Sequence, residues 1–152
     1  MLRTVKYRKR DAGSALVEFA LSTVTILTLL FGTIDLGRAA YAYNWVANAA
    51  RLGTRFAMVR GMNCTGLSGG CPATGDDVRA YIASDATGID TSTTQLTVTS
   101  GCYATGTPIP TPLPCAPQSS VKVTVQYNFK FLSPLLMKSW TMQSLSERVV
   151  QN

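Results

Sequence analysis

The sequence predicts an α+β protein: one long N-terminal helix packed on a small domain with an antiparallel β-sheet. Three observations lead there. No proline interrupts the chain from Ser14 to Arg60, and Phe19–Ile34 carries no charge. Further on, Gln95–Thr99 and Val121–Phe131 alternate apolar and polar side chains, the period-two pattern of strands with one buried face. Finally, four cysteines, Cys64, Cys71, Cys102 and Cys115, all follow the apolar run.

Residues 1–13 form a basic leader, with Arg3, Lys6, Arg8, Lys9 and Arg10 against the single acid Asp11. The 152-residue chain has a net charge of +6, of which +4 lies up to Gly13 and +2 in the remainder. The basicity is therefore mostly a flank to an apolar segment. It places the N-terminus in the cytoplasm by the positive-inside rule and argues against nucleic acid as a partner. Residues 14–60 form the helix. The portion at about 15–34 is long enough to span a bilayer, which takes about 20 helical residues. Its threonines, Thr23, Thr25, Thr28 and Thr33, are tolerable because a helical hydroxyl can bond a carbonyl one turn back. Glu18 sits at the front edge of the run. One reading is an interfacial acid favoured by the helix dipole. The other is an acid that pairs with a neighbouring subunit.

Past Ile34 the helix continues as an extracytoplasmic extension. Asp35 and Arg38 are three apart and can pair on one face at the membrane surface. Tyr41, Tyr43 and Trp45 follow the run at the spacing of boundary anchors. Trp45, Ala49, Leu52, Phe56 and Val59 recur every three or four residues and predict an apolar stripe facing the domain. Uninterrupted, the helix would be about 70 Å long.

The residues Arg8-Lys-Arg-Asp-Ala-Gly13 followed by Ser14-Ala-Leu-Val-Glu18-Phe19 resemble a type IV prepilin cleavage site. Together with Leu30-Phe-Gly-Thr-Ile-Asp35-Leu-Gly-Arg38, Ala39-Ala-Tyr-Ala-Tyr-Asn44 and Ala49-Ala-Arg51, they resemble the TadE-like family, the minor pilins or pseudopilins of the tight-adherence (Tad/Flp) pilus machinery. The resemblance covers about residues 12–60, with a looser echo in a C-terminal hairpin. It implies that a prepilin peptidase cuts between Gly13 and Ser14, and that Glu18 is the fifth mature residue. It also implies that Glu18 pairs with the freed Ser14 amine of a neighbour. Where relatives often carry a proline, this chain has Ser22-Thr-Val24, which leaves the helix straighter without touching the processing site. A competing route is conventional signal peptidase at Ala40-Tyr-Ala42, giving a mature start at Tyr43. Asp35 and Arg38 between the apolar run and that site, and Glu18 at its start, weigh against it.

Residues 61–152 form the small disulfide-containing domain. Gly61 ends the helix and opens a loop with Gly66, Gly69 and Gly70. No Lys-Ser or Lys-Thr follows it, so it lacks the requirements of a phosphate loop. Asp76 or Asp77 can cap a short helix running to about Ala86, with Val78, Tyr81 and Ile82 on its buried side and Gly88 closing it. Pro108, Pro110, Pro112 and Pro114 keep the segment between the first two strands extended and out of a central strand. Leu132–Lys138 turns at Pro134, and Trp140–Arg148 is the last strand. Three cysteine connectivities are possible. Local closure favours Cys64–Cys71 and Cys102–Cys115, and zinc is disfavoured by the spacing and by the absence of histidine.

With no histidine and no surviving nucleotide fingerprint, the chain is expected to be no enzyme, with no cofactor, metal or small-molecule substrate. The expected partners are prepilin peptidase, other pilus subunits, inner-membrane pilus assembly proteins and membrane lipid. The expected location is the bacterial inner membrane, single-span, with the C-terminal domain periplasmic or extracellular and an association with the pilus. The alternative is a permanently anchored extracytoplasmic binding module that never polymerises.

Overall fold

The computed structural model describes residues 11–67, 71–104, 111–132 and 139–150. The expectations for the leader through Arg10, for Gly69 and Gly70, for Pro108 and Pro110, and for the turn at Pro134 lie outside them. Helix α1 spans Asp11–Val59, 49 residues without a proline. Helix α2 spans Gly75–Ser84. Strands β1 (Leu96–Tyr103), β2 (Ser120–Phe129) and β3 (Trp140–Val149) form one antiparallel sheet in the order β1-β2-β3. This is the α+β architecture expected from the alternating segments and the long helix.

The centre of the sheet follows from the alternation in β2. Val121, Val123, Val125, Tyr127 and Phe129 are all buried, while the residues between them face outward. On β3 the inward positions are Met142, Ser144 and Ser146, opposite Tyr127, Val125 and Val123. Small residues there let α1 approach closely, and the Thr54 hydroxyl bonds both Ala50 O at 2.7 Å and Ser146 O at 3.2 Å. The helix answers with small residues of its own. Its buried line runs through Ala39, Ala42, Val46, Ala49 with its neighbour Ala50, Gly53 and Ala57, in steps of three or four residues apart from that adjacent pair. The expected stripe is therefore corrected. Trp45, Ala49 and Phe56 are buried, but Leu52 is only half-buried and Val59 is exposed, because a sheet packed close to the helix admits small side chains along the contact line and large ones only at its flanks. Trp45 is such a flank residue, meeting Tyr127 edge-to-face at 6.2 Å, so it belongs to the core and not to a boundary group with Tyr41 and Tyr43.

β2 runs down α1 toward the apolar half of the helix. A Cβ on Gly53 would lie 3.2 Å from Val123. Farther along, Trp45 meets Tyr127, the Arg38 guanidinium lies 5.4 Å from the Phe129 ring centroid, and Asp35 accepts from the Leu132 amide. From Gly53 to Asp35 the helix advances about 27 Å, and from Val123 to Leu132 an extended chain advances about 30 Å. The two elements are matched in length. The opposite end of the domain carries both bridges, Cys64–Cys71 and Cys102–Cys115, with Cα separations of 5.6 and 5.3 Å. There Met62 N donates to Cys115 O, Ala73 N to Arg60 O, and Gln118 N to Val150 O.

The start of α2 departs from expectation. Its N-cap is Thr74, not Asp76 or Asp77: the Asp77 amide donates to the Thr74 hydroxyl at 3.3 Å, and the Thr74 amide donates to the Asp77 carboxylate at 2.8 Å. Asp77 is thus the third-position partner of a capping box. Val78 and Ile82 are buried as expected, while Tyr81 is largely exposed and stacks on Phe56 at 4.5 Å. α2 stops at Ser84 with Asp85 as its cap, and Gly88 lies beyond it at φ +70°. β1 is longer than the expected Gln95–Thr99, because Cys102 is held on two sides. It bridges to Cys115 and exchanges backbone bonds with Thr111 at 2.8 and 2.9 Å.

Candidate processing and assembly segment

Among the described residues, residues 13–34 of α1 have almost no tertiary cover. Leu16, Val17, Phe19, Leu21, Val24, Ile26, Leu27, Leu29, Leu30, Phe31 and Ile34 are all exposed. A helix apolar on every side and packed against none of the described residues beyond itself needs either lipid or other helices around it. Its threonines are neutralised locally: Thr23 donates to Phe19 O, Thr25 to Leu21 O, Thr28 to Val24 O and Thr33 to Leu30 O, all at 2.8–2.9 Å. With those hydroxyls satisfied, the helix is long and apolar enough to cross a membrane, which fits a single-span membrane protein.

Ser14, Glu18 and Phe19 are exposed on the first turns of this segment, with Ser14 and Glu18 four residues apart on one face. The structure brings no other described side chain to Glu18, so within one subunit the carboxylate faces outward. Gly13 is helical, since α1 begins at Asp11, whereas a peptidase needs extended backbone at the bond it cuts. A Cβ on Gly13 would meet no atom within 4 Å. Among the described residues nothing therefore requires glycine at that position. Glycine inside a helix costs about 1 kcal/mol relative to alanine, which weakens the first turns where the backbone would have to unwind.

The residue that sequence reasoning undervalued is Asp35. It was expected as half of a surface pair with Arg38, and that pair is present at 3.3 Å. Yet Asp35 is only 1% exposed, and its Oδ1 also accepts from the Leu132 amide at 3.1 Å, 97 residues away. It joins the helix to the end of the sheet. The signal available in the sequence was its position: an acid directly after an uncharged run needs a partner, and nothing local showed that the partner would be a distant backbone amide. Tyr41 makes a second junction of this kind, its hydroxyl donating to Thr87 O at 2.8 Å.

The segment just described, from Gly13 through the junction and along the buried line to Arg55, coincides with a family match. Residues 13–55 match the family model described as TadE-like protein. This stretch of the chain is TadE-like. The match begins at Gly13 and includes Ser14, Glu18, Phe19, Asp35 and Arg38. No curated protein and no solved structure matches the chain.

Proposed function

We propose that this chain is a minor pilin-like subunit of a Tad/Flp pilus, trimmed after Gly13 by a prepilin peptidase and assembled through its N-terminal helix. The observation that carries this reading is the coincidence of the TadE-like match, starting at Gly13, with a helical segment exposed on every side. In this reading the chain lies in the bacterial inner membrane with its N-terminus cytoplasmic and its domain outside. It is not itself an enzyme but the substrate of one. Cleavage frees the Ser14 amine, and Glu18 of one subunit pairs with that amine on the next. In a low-dielectric surrounding a misaligned neighbour leaves a charge unpaired, so the pair sets register more than it adds affinity. Lipid, the peptidase, other pilus subunits and inner-membrane assembly proteins are its partners.

N-terminal sequencing of the mature protein tests the proposal. A start at Ser14 supports it, a start at Tyr43 assigns the chain to signal peptidase, and a start at Met1 leaves a permanent anchor. Gly13→Leu sharpens the test. A Cβ at this position meets no atom within 4 Å, and the expected result is a folded, uncut, membrane-bound precursor.

A further inference from the structure

The end of the sheet beside Asp35 presents apolar side chains to solvent at the height where the apolar run of α1 stops. Leu132 is 69% exposed and Trp140 is 52% exposed. Both are held there by the fold. The Leu132 amide is bonded to Asp35, the residue immediately after Ile34, and Trp140 pairs in register with Phe129, whose ring lies against Arg38 one helical turn farther on. Lys130, between Phe129 and this end, is exposed.

We infer that this end of the domain, at Leu132 and Trp140, is a second contact with the lipid bilayer. The inference rests on the reading of residues 14–34 as membrane-spanning. Given that reading, the occupant follows from geometry: whatever depth Ile34 reaches, the hydrogen bond between Asp35 and Leu132 brings Leu132 to the same depth. Tryptophan favours the membrane–water boundary, where its ring is buried and its N–H stays hydrated. The exposed Lys130 and the half-exposed Arg38 lie at this level and suit the phosphate layer, reaching it with their apolar stems in contact with the boundary. With two points of contact, the helix and the sheet end, the domain is set at a fixed tilt on the membrane and does not swivel about a single stalk.

The test uses the full chain in phosphatidylethanolamine–phosphatidylglycerol vesicles. The chain has two tryptophans, so Trp45→Phe leaves Trp140 as the sole reporter. Should that core substitution perturb folding, the difference between the parent and Trp140→Phe reports the same ring. The expected result is blue-shifted Trp140 emission, lost on adding lipids brominated near the headgroup end of the acyl chain and less affected by bromines near the methyl end. Leu132→Asp should abolish most of that loss. Water-like, unquenched emission overturns the inference. So does blue-shifted emission that no brominated lipid quenches, because a second copy or another protein then covers the ring. Leu27→Trp, placed in a chain lacking Trp45 and Trp140, separates the two levels of the argument. If its emission is quenched and that of Trp140 is not, only the second contact fails. If neither is quenched, the spanning segment and the second contact fail together.

Discussion

Two acids on α1, seventeen residues apart, are put to opposite uses by their surroundings. Glu18 is exposed in a segment with no tertiary partner, whereas Asp35 is buried against Arg38 and a backbone amide. Glu18→Ala should therefore leave folding and trimming unchanged and insert at least as readily, since an acid in a membrane helix is a net cost of about 2.5–3.5 kcal/mol toward the centre and less toward the edge. On the assembly reading it loses cross-linking to other pilus subunits within the membrane. Cross-linking and piliation equal to the parent would reduce Glu18 to an interfacial charge. Asp35→Ala should act on the fold instead. It strips the Leu132 amide of its acceptor at a part-buried junction, and a group left unpaired there costs about 1 kcal/mol, the low end of the range for burial. Thermal unfolding of the full chain in detergent micelles should show that loss, with the subunit still inserted and trimmed.

At the scale of the element, α2 depends on its first turn. The capping box joins Thr74 and Asp77 through their side chains and backbone amides. Thr74→Ala should cost about 1 kcal/mol, the usual loss for removing a threonine cap. The Thr74 backbone and side-chain hydrogen bonds hold the Asp77 carboxyl below the ordinary aspartate range, so the sign of its pH dependence is determined. A depressed folded value means the bonds contribute stability in full above the unfolded pKa, about 3.9, and lose it as pH falls through the folded value. Asp77→Asn should flatten this part of the acid limb. Guanidinium titrations at neutral pH and at pH values below 4 measure it, and an unchanged acid limb would show that the box contributes nothing.

Across the whole molecule the domain is held at its two ends by different means, covalently beyond the end of α1 and by Asp35 beside the apolar run. The two bridges should not be equivalent. Cys102 and Cys115 are buried in the core and tie the end of β1 to the approach to β2, whereas Cys64 and Cys71 are partly exposed in a loop. Loop closure alone predicts similar contributions of about 3 kcal/mol or less for such short separations. Burial of the sulfurs adds to the first bridge. Replacing both Cys102 and Cys115 with alanine should therefore lower the unfolding temperature more than replacing Cys64 and Cys71. Non-reducing digestion of the parent should recover both local pairs, and a free thiol or a crossed pair would contradict the fold.

Much of this was legible one residue at a time, because it depends on short-range chemistry. The uninterrupted helix follows from 49 residues without proline, and the central strand from strict alternation between Val121 and Phe129. The local cystine pairs follow from closely spaced cysteines. Gly13, Ser14, Glu18 and Phe19 could be named from the sequence for the same reason: their proposed role depends on the order of residues along the chain and not on a folded neighbour. What needed the tertiary structure was every choice made by a distant partner. The apolar stripe of α1 turned from Leu52 and Val59 toward Ala42, Gly53 and Ala57, because a sheet at close approach selects small side chains. Trp45 went to the core because Tyr127 lies opposite it. Thr74 rather than an aspartate became the cap, since both can accept the bond and only the backbone path into the helix decides between them. Asp35 reached across 97 residues to Leu132, a contact no local pattern encodes, and that contact ties the end of the sheet to the helix beside the apolar run.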